Sequence, residues 1–76
     1  MTGAVSQWLD QFKGKRIMVR FIDDSEDDSE GTLVDYDVDG IGRITYLIMR
    51  VEDKGHKRIC ILRGDQIWEI TAWEVQ

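Results

Sequence analysis

The spacing of the apolar residues changes at Gly14, and that change governs what the chain can fold into. Before it, Val5, Trp8, Leu9 and Phe12 fall at i, i+3, i+4 and i+7, one face of a short helix over about residues 4–13. Thr2 or Gly3 is placed to cap its start and Gly14 to stop it. A helix this short is marginal alone, so the stripe must dock, and its Trp and Phe read as core. After Gly14 the period becomes two. Ile17, Val19 and Phe21 alternate with Arg16, Met18 and Arg20 in a first strand, about 15–22. A second strand, about 31–39, sets Val34, Tyr36 and Val38 against Asp35, Asp37 and Asp39, and Gly40 and Gly42 mark a turn. Ile44 to Val51 is nearly all apolar or β-branched, the pattern of a strand buried on both faces, within a third strand of about 43–52. Glu52-Asp53-Lys54-Gly55 reads as a hairpin turn into a fourth strand, about 57–62. Arg63-Gly64-Asp65 is a tight break before a fifth, about 66–72, which Trp73–Gln76 would extend or leave to fray. No proline bars any of them from the middle of a sheet.

The expected architecture is therefore mostly β: an N-terminal helix, then a five-stranded, strongly bent antiparallel sheet forming a small open barrel closed over by the helix. Loops in such a meander alternate ends. The loops after strands two and four would share one end, and the loop after strand one would lie at the other, away from Arg63.

A chain of 76 residues has room for one domain, 1–76, and domains near this size hide only about 60 % of their unfolded surface. Oligomerisation is one remedy for so small a core. The others are missing from the sequence: Cys60 is the single cysteine, so no internal disulfide forms, and no His–Cys cluster suggests zinc. Cys60 itself sits in an apolar strand and reads as core. The net charge of −5 is local, because six of the eight residues from Asp23 to Glu30 are acidic and the remainder sums to +1. Such a run reads as a solvated loop, with a cation or a basic partner as the alternatives. The apolar runs are too short to cross a membrane, and the N-terminus lacks a signal peptide's apolar stretch, so a soluble, reducing, cytoplasmic setting is expected.

The chemistry-bearing residues are few. Asp35, Asp37 and Asp39 before Gly40 imitate the opening of an EF-hand calcium loop, but the twelfth position is Tyr46 and the flanks are β-like. The three carboxylates read instead as the outer face of the second strand. His56 has no Ser or Cys partner nearby in sequence. With no Gly-rich phosphate loop and no catalytic pair, the expectation is a non-enzyme without cofactor or metal.

Two stretches resemble the Sm-like (LSm) family across roughly residues 5–72. Gly31-Thr32-Leu33 followed by Tyr36-Asp37 is similar to its first motif, and Leu62-Arg63-Gly64-Asp65-Gln66-Ile67-Trp68-Glu69-Ile70 to its second. Gly14-Lys15-Arg16-Ile17-Met18-Val19 is similar to the usual start of its first strand. Where the family places Met-Asn after the aromatic–Asp pair, this chain has Val38-Asp39-Gly40-Ile41-Gly42-Arg43, and it contains no Asn at all.

The resemblance implies a homo-oligomeric ring of about five to seven subunits, strand four of one subunit pairing with strand five of the next. The interface would draw on Ile59 and Ile61 of strand four and Ile67, Trp68 and Ile70 of strand five. The loops after strands two and four would line the pore and bind single-stranded RNA, U-rich sequence being the first candidate, through Arg63, Gly64 and Asp65 together with Tyr36, Asp37, Asp39 and Arg43. Gly64 would allow a positive φ, and Asp65 would either orient Arg63 or cap the turn by local hydrogen bonds. The alternative is a structural or protein-interaction ring that docks a basic partner through its acidic loop.

Overall fold

The computed structural model describes residues 3–73. The expected cap at Thr2 and any strand extension over residues 74–76 lie outside them. One helix, α1 (Gly3–Gln11), precedes five strands: β1 (Arg16–Phe21), β2 (Ser29–Val38), β3 (Ile44–Asp53), β4 (His56–Arg63) and β5 (Ile67–Ala72). A 3₁₀ turn, Gly64–Gln66, joins β4 to β5. All pairings are antiparallel and the sheet order is β4-β3-β2-β1-β5, so the sheet stays open with β4 and β5 as its edges.

Alternation in β1 holds as expected. Ile17 and Val19 are fully buried, and Phe21 packs against the same core. Leu9 and Phe12 of the helical segment, Leu33 of β2, and Leu47 and Met49 of β3 complete the buried cluster. The helix is held to β2 by more than apolar contact. The backbone between α1 and β1 pairs with β2, Gly14 N–H donating to Leu33 O (2.8 Å) and Leu33 N–H to Lys15 O (3.0 Å). Gly14 adopts a φ of +79°, the left-handed geometry suited to a helix stop, and the helix itself ends at Gln11 rather than near 13.

Four expectations are corrected. First, Val34 is not a core residue. The β2–β3 register shifts between Leu33 and Asp35, and the bulge turns Val34 out to solvent (44 % exposed) while Leu33 takes the inward position. Second, β3 is buried on one face only: Leu47 and Met49 are inside, Ile48 is half-buried, and Tyr46 and Arg50 are exposed. Third, the helical stripe is only half core. Leu9 and Phe12 are buried, whereas Val5 and Trp8 are more than a third exposed, with the Trp8 ring leaning on Phe12 at 4.7 Å. Cys60 likewise is only half-buried.

The fourth correction concerns β5. It does not continue the meander beside β4 but crosses to the far side of β1, pairing Ile17 with Ala72 and Val19 with Ile70. The turn 64–66 therefore reaches both ends of the sheet. Gly64 lies against Ile44 at the start of β3, and Gln66 O accepts from Ile22 N–H (2.9 Å) at the end of β1. The acidic loop begins one residue past Ile22, beside the turn that follows Arg63 rather than remote from it. The acidic run is also shorter as a loop than expected, since β2 already includes Ser29 and Glu30. Glu30 pairs with Arg16, Asp28 lies 3.9 Å from Arg20, and Asp23 accepts from both the amide and the hydroxyl of Ser25.

Inward and outward positions on the paired strands β2 and β3 should separate sharply in stability. Leu47→Ala leaves a cavity in the sealed cluster and is expected to cost about 2–5 kcal/mol. Val34→Ala sits at the outward bulge and should change stability by no more than about 0.5 kcal/mol. Urea unfolding of the two variants checks this; a core-sized loss at Val34 would contradict the bulge.

Candidate functional site

The turn after β4 is built around one close approach. Gly64 does not have a positive φ, contrary to expectation. Its need is steric: a Cβ at this position would overlap the Ile44 carbonyl oxygen and carbon. Only glycine lets the β4–β5 turn sit directly on the first residue of β3. That seat brings the loop after β2 and the turn after β4 to one place.

An open groove of about 730 Å³ lies where they meet. Its apolar lining comes from Trp8 and Leu9 of α1 and from Ile67, Trp68 and Ile70 of β5. Its rim is charged, with Arg43 and Asp39 from the β2–β3 loop, Arg63 and Asp65 from the turn, and Glu69 from β5. Both arginine side chains are 76 % exposed.

Each charged group has a defined local partner. Arg63 Nη2 donates to Asp65 Oδ2 at 2.8 Å, so Asp65 orients the guanidinium as expected. Asp39 closes its own turn: Oδ1 accepts from the amides of Ile41 (3.0 Å) and Arg43 (2.9 Å), and Oδ2 faces Arg43 Nε at 3.3 Å. The Arg43 amide, joined by those of Ile41 and the Arg43 side chain, holds the Asp39 carboxyl below its usual range against some desolvation. Asp39 therefore folds the loop and has little acceptor capacity left for a base edge. Exposed ion pairs of this kind are weak, so a ligand can draw Arg63 off Asp65 at small cost.

Of the seven expected RNA-contacting residues, five line this groove: Asp39, Arg43, Arg63, Gly64 and Asp65. Tyr36 and Asp37 do not. The Tyr36 hydroxyl is shared between the Ser6 carbonyl oxygen (2.8 Å) and Asp10 Oδ1 (2.5 Å), with Lys13 Nζ 5.2 Å from the ring centroid. Tyr36 is a tether for the helix. Asp37 accepts across the β2–β3 ladder from the Thr45 hydroxyl at 2.6 Å. Asp35, the third of the aspartate series, caps the Tyr36 amide (2.8 Å) and pairs with Lys13 (3.3 Å). The three carboxylates thus turn to three different partners. Among the described residues no group of three His, Cys, Asp or Glu side chains gathers as metal ligands.

The expected interface residues divide. Ile59, Ile61 and Trp68 are 58 %, 69 % and 72 % exposed, whereas Ile67 and Ile70 pack against the chain's own core. Val5, Trp8 and Leu9, read from sequence as a core stripe, and Ile67, Trp68 and Ile70, read as interface, also line the groove. The signal for Trp8 was a four-residue apolar stripe on a helix that has buried room for only two. Comparison with protein-family models, curated proteins and solved structures finds no match. No helix among the described residues is long and apolar enough to cross a membrane.

The Tyr36 tether has a pH signature. Its hydrogen bond to Asp10, with desolvation and the nearby Asp10 and Asp35 charges, pushes the phenol up from 10.0 to about 12. A group raised on folding stabilises the fold fully below its unfolded pKa and ceases to do so as pH passes its folded one. The advantage of wild type over Tyr36→Phe should be complete below pH about 10 and vanish between about 10 and 12. Thermal melts of both proteins across that range, with tyrosinate absorbance as a second readout, test the tether; a constant difference through pH 12 would contradict it.

Proposed function

We propose that the chain is a non-catalytic, Sm-like subunit of a homo-oligomeric ring that binds single-stranded RNA in the groove between its two loops. One observation carries the reading. The seat of Gly64 on Ile44 draws Arg43 and Arg63 to the rim of a single groove whose walls present Trp8 and Trp68. Guanidinium and indole planes are what unpaired bases stack on. The two free sheet edges support assembly, since pairing β4 of one copy with β5 of the next would leave no edge open.

The groove constrains how such binding would work. Two arginines face three carboxylates, Asp39, Asp65 and Glu69, so phosphate attraction is largely offset at the rim. Stacking, worth about 1–3 kcal/mol per base, would supply the affinity, and its salt dependence would be shallow. With Asp39 committed to its turn, base-edge contacts would fall to Arg43 and Arg63. The same charge balance favours one second reading, a ring that docks a basic protein segment.

Filter binding with U-rich and A-rich oligomers separates the two. On the RNA reading, wild type retains a single-stranded oligomer at low salt, and Arg63→Ala weakens it at least about tenfold with no change in oligomeric mass. Absence of binding to any single-stranded RNA at low salt would overturn the RNA reading and leave the protein-docking one.

A further inference from the structure

Arg43 and Asp65 reach the groove from the two sides of one close contact. Gly64 lies against Ile44, so the residue before Ile44 and the residue after Gly64 come to the same stretch of rim. Their side chains are only partly committed. Asp39 holds Arg43 by Nε alone, at 3.3 Å, and Arg43 Nη1 and Nη2 take no partner among the described residues. Asp65 gives Oδ2 to Arg63, and its Oδ1 has only a 3.5 Å contact with the Gln66 side chain. The rim therefore presents an open two-pronged donor and a carboxylate with an open acceptor. Side-chain amides are missing from it: the chain contains no Asn, and none of the described glutamines lines the groove.

We propose that the groove reads guanine, with Arg43 as the donor fork and Asp65 as the acceptor. This rests on the RNA reading above and names the base it takes. A guanidinium has five donors and no acceptor, so Nη1 and Nη2 together match a base edge with two adjacent acceptors. Guanine carries that pair in O6 and N7, and arginine on O6 and N7 is the commonest specific base contact. The N1–H and N2 amino donors of guanine also lie side by side, which is the match for a carboxylate. Uracil, the base implied by the family resemblance, alternates acceptor, donor and acceptor along its edge. A side-chain amide reads that pattern, and this groove has none. Adenine sets N7 beside an amino donor, so the fork meets one acceptor only. Cytosine has adjacent acceptors in O2 and N3, but a single amino donor and a smaller face to stack on Trp8 and Trp68, which are 39 % and 72 % exposed.

The test is fluorescence anisotropy of the full chain, at low salt, with a short labelled adenine tract whose central base is varied. A single guanine should tighten binding at least about tenfold over the all-adenine tract and over the same tract with uracil, with cytosine between them. Two base analogues separate the two halves of the contact. 7-Deazaguanine lacks N7 and inosine lacks the N2 amino group, and each should forfeit most of the preference. Arg43→Lys keeps the charge but not the fork, so it should bring the guanine and adenine tracts to within about threefold of each other. Circular dichroism of that variant should match wild type, which separates a lost reader from a lost fold. Affinities within about threefold for all four bases, a preference for uracil, or a guanine preference that survives Arg43→Lys would overturn the guanine assignment and leave the RNA reading standing. No binding to any of the tracts would overturn both.

Discussion

The strand that decides this architecture is β1, because besides its neighbour in sequence, β2, it pairs with the distant β5. β2 follows it by way of the acidic loop, and β5 returns to it from the end of the described chain. Ile17 and Val19 thereby sit among the seven buried hydrophobic residues of the described chain. With both flanks of β1 occupied, β4 and β5 become the edges, and the 3₁₀ turn between them must span from the start of β3 to the end of β1. The groove, the placement of Arg63 and the nearness of the acidic loop all descend from that span.

Local pattern made much of this legible. The helix, the five strands and their order along the chain follow from a change of period at Gly14 and from turn residues, and strand bounds fall within about two residues of expectation. What pattern could not show is where one element meets another far along the chain. Alternation assigned Val34 inward because period two assumes an unbroken ladder, and a bulge is a property of two strands together. The apolar richness of β3 suggested burial on both faces, yet Tyr46 and Arg50 are exposed. The crossing of β5 to β1 is invisible to local spacing.

The site shows the same division. Arg63, Gly64 and Asp65 were recognisable as a unit, and Asp65 does orient Arg63. The reason for Gly64 was not recognisable, because it is the carbonyl of Ile44, twenty residues earlier. Tyr36 and Asp37 matched a motif by position, but their side chains turn to α1 and β3 instead of the groove. Asp39 stands where a base-reading amide was expected, and its Oδ1 is taken by the loop's own amides while Oδ2 faces the Arg43 side chain. Residues that share a motif need not share a surface.

The return of β5 to β1 also bears on how the chain acquires its structure. Ile17 finds one neighbour in Gly31 after a short loop and the other only in Ala72, 55 positions later (17 to 72). Such distant pairing has to meet a large loop-closure entropy before any contact compensates it, so folding is expected to wait on the last strand rather than on the helix or the hairpins. During synthesis the first four strands leave the ribosome with the apolar flank of β1 still unpaired. Until residues 67–72 arrive, that flank offers an open ladder to any other extended chain.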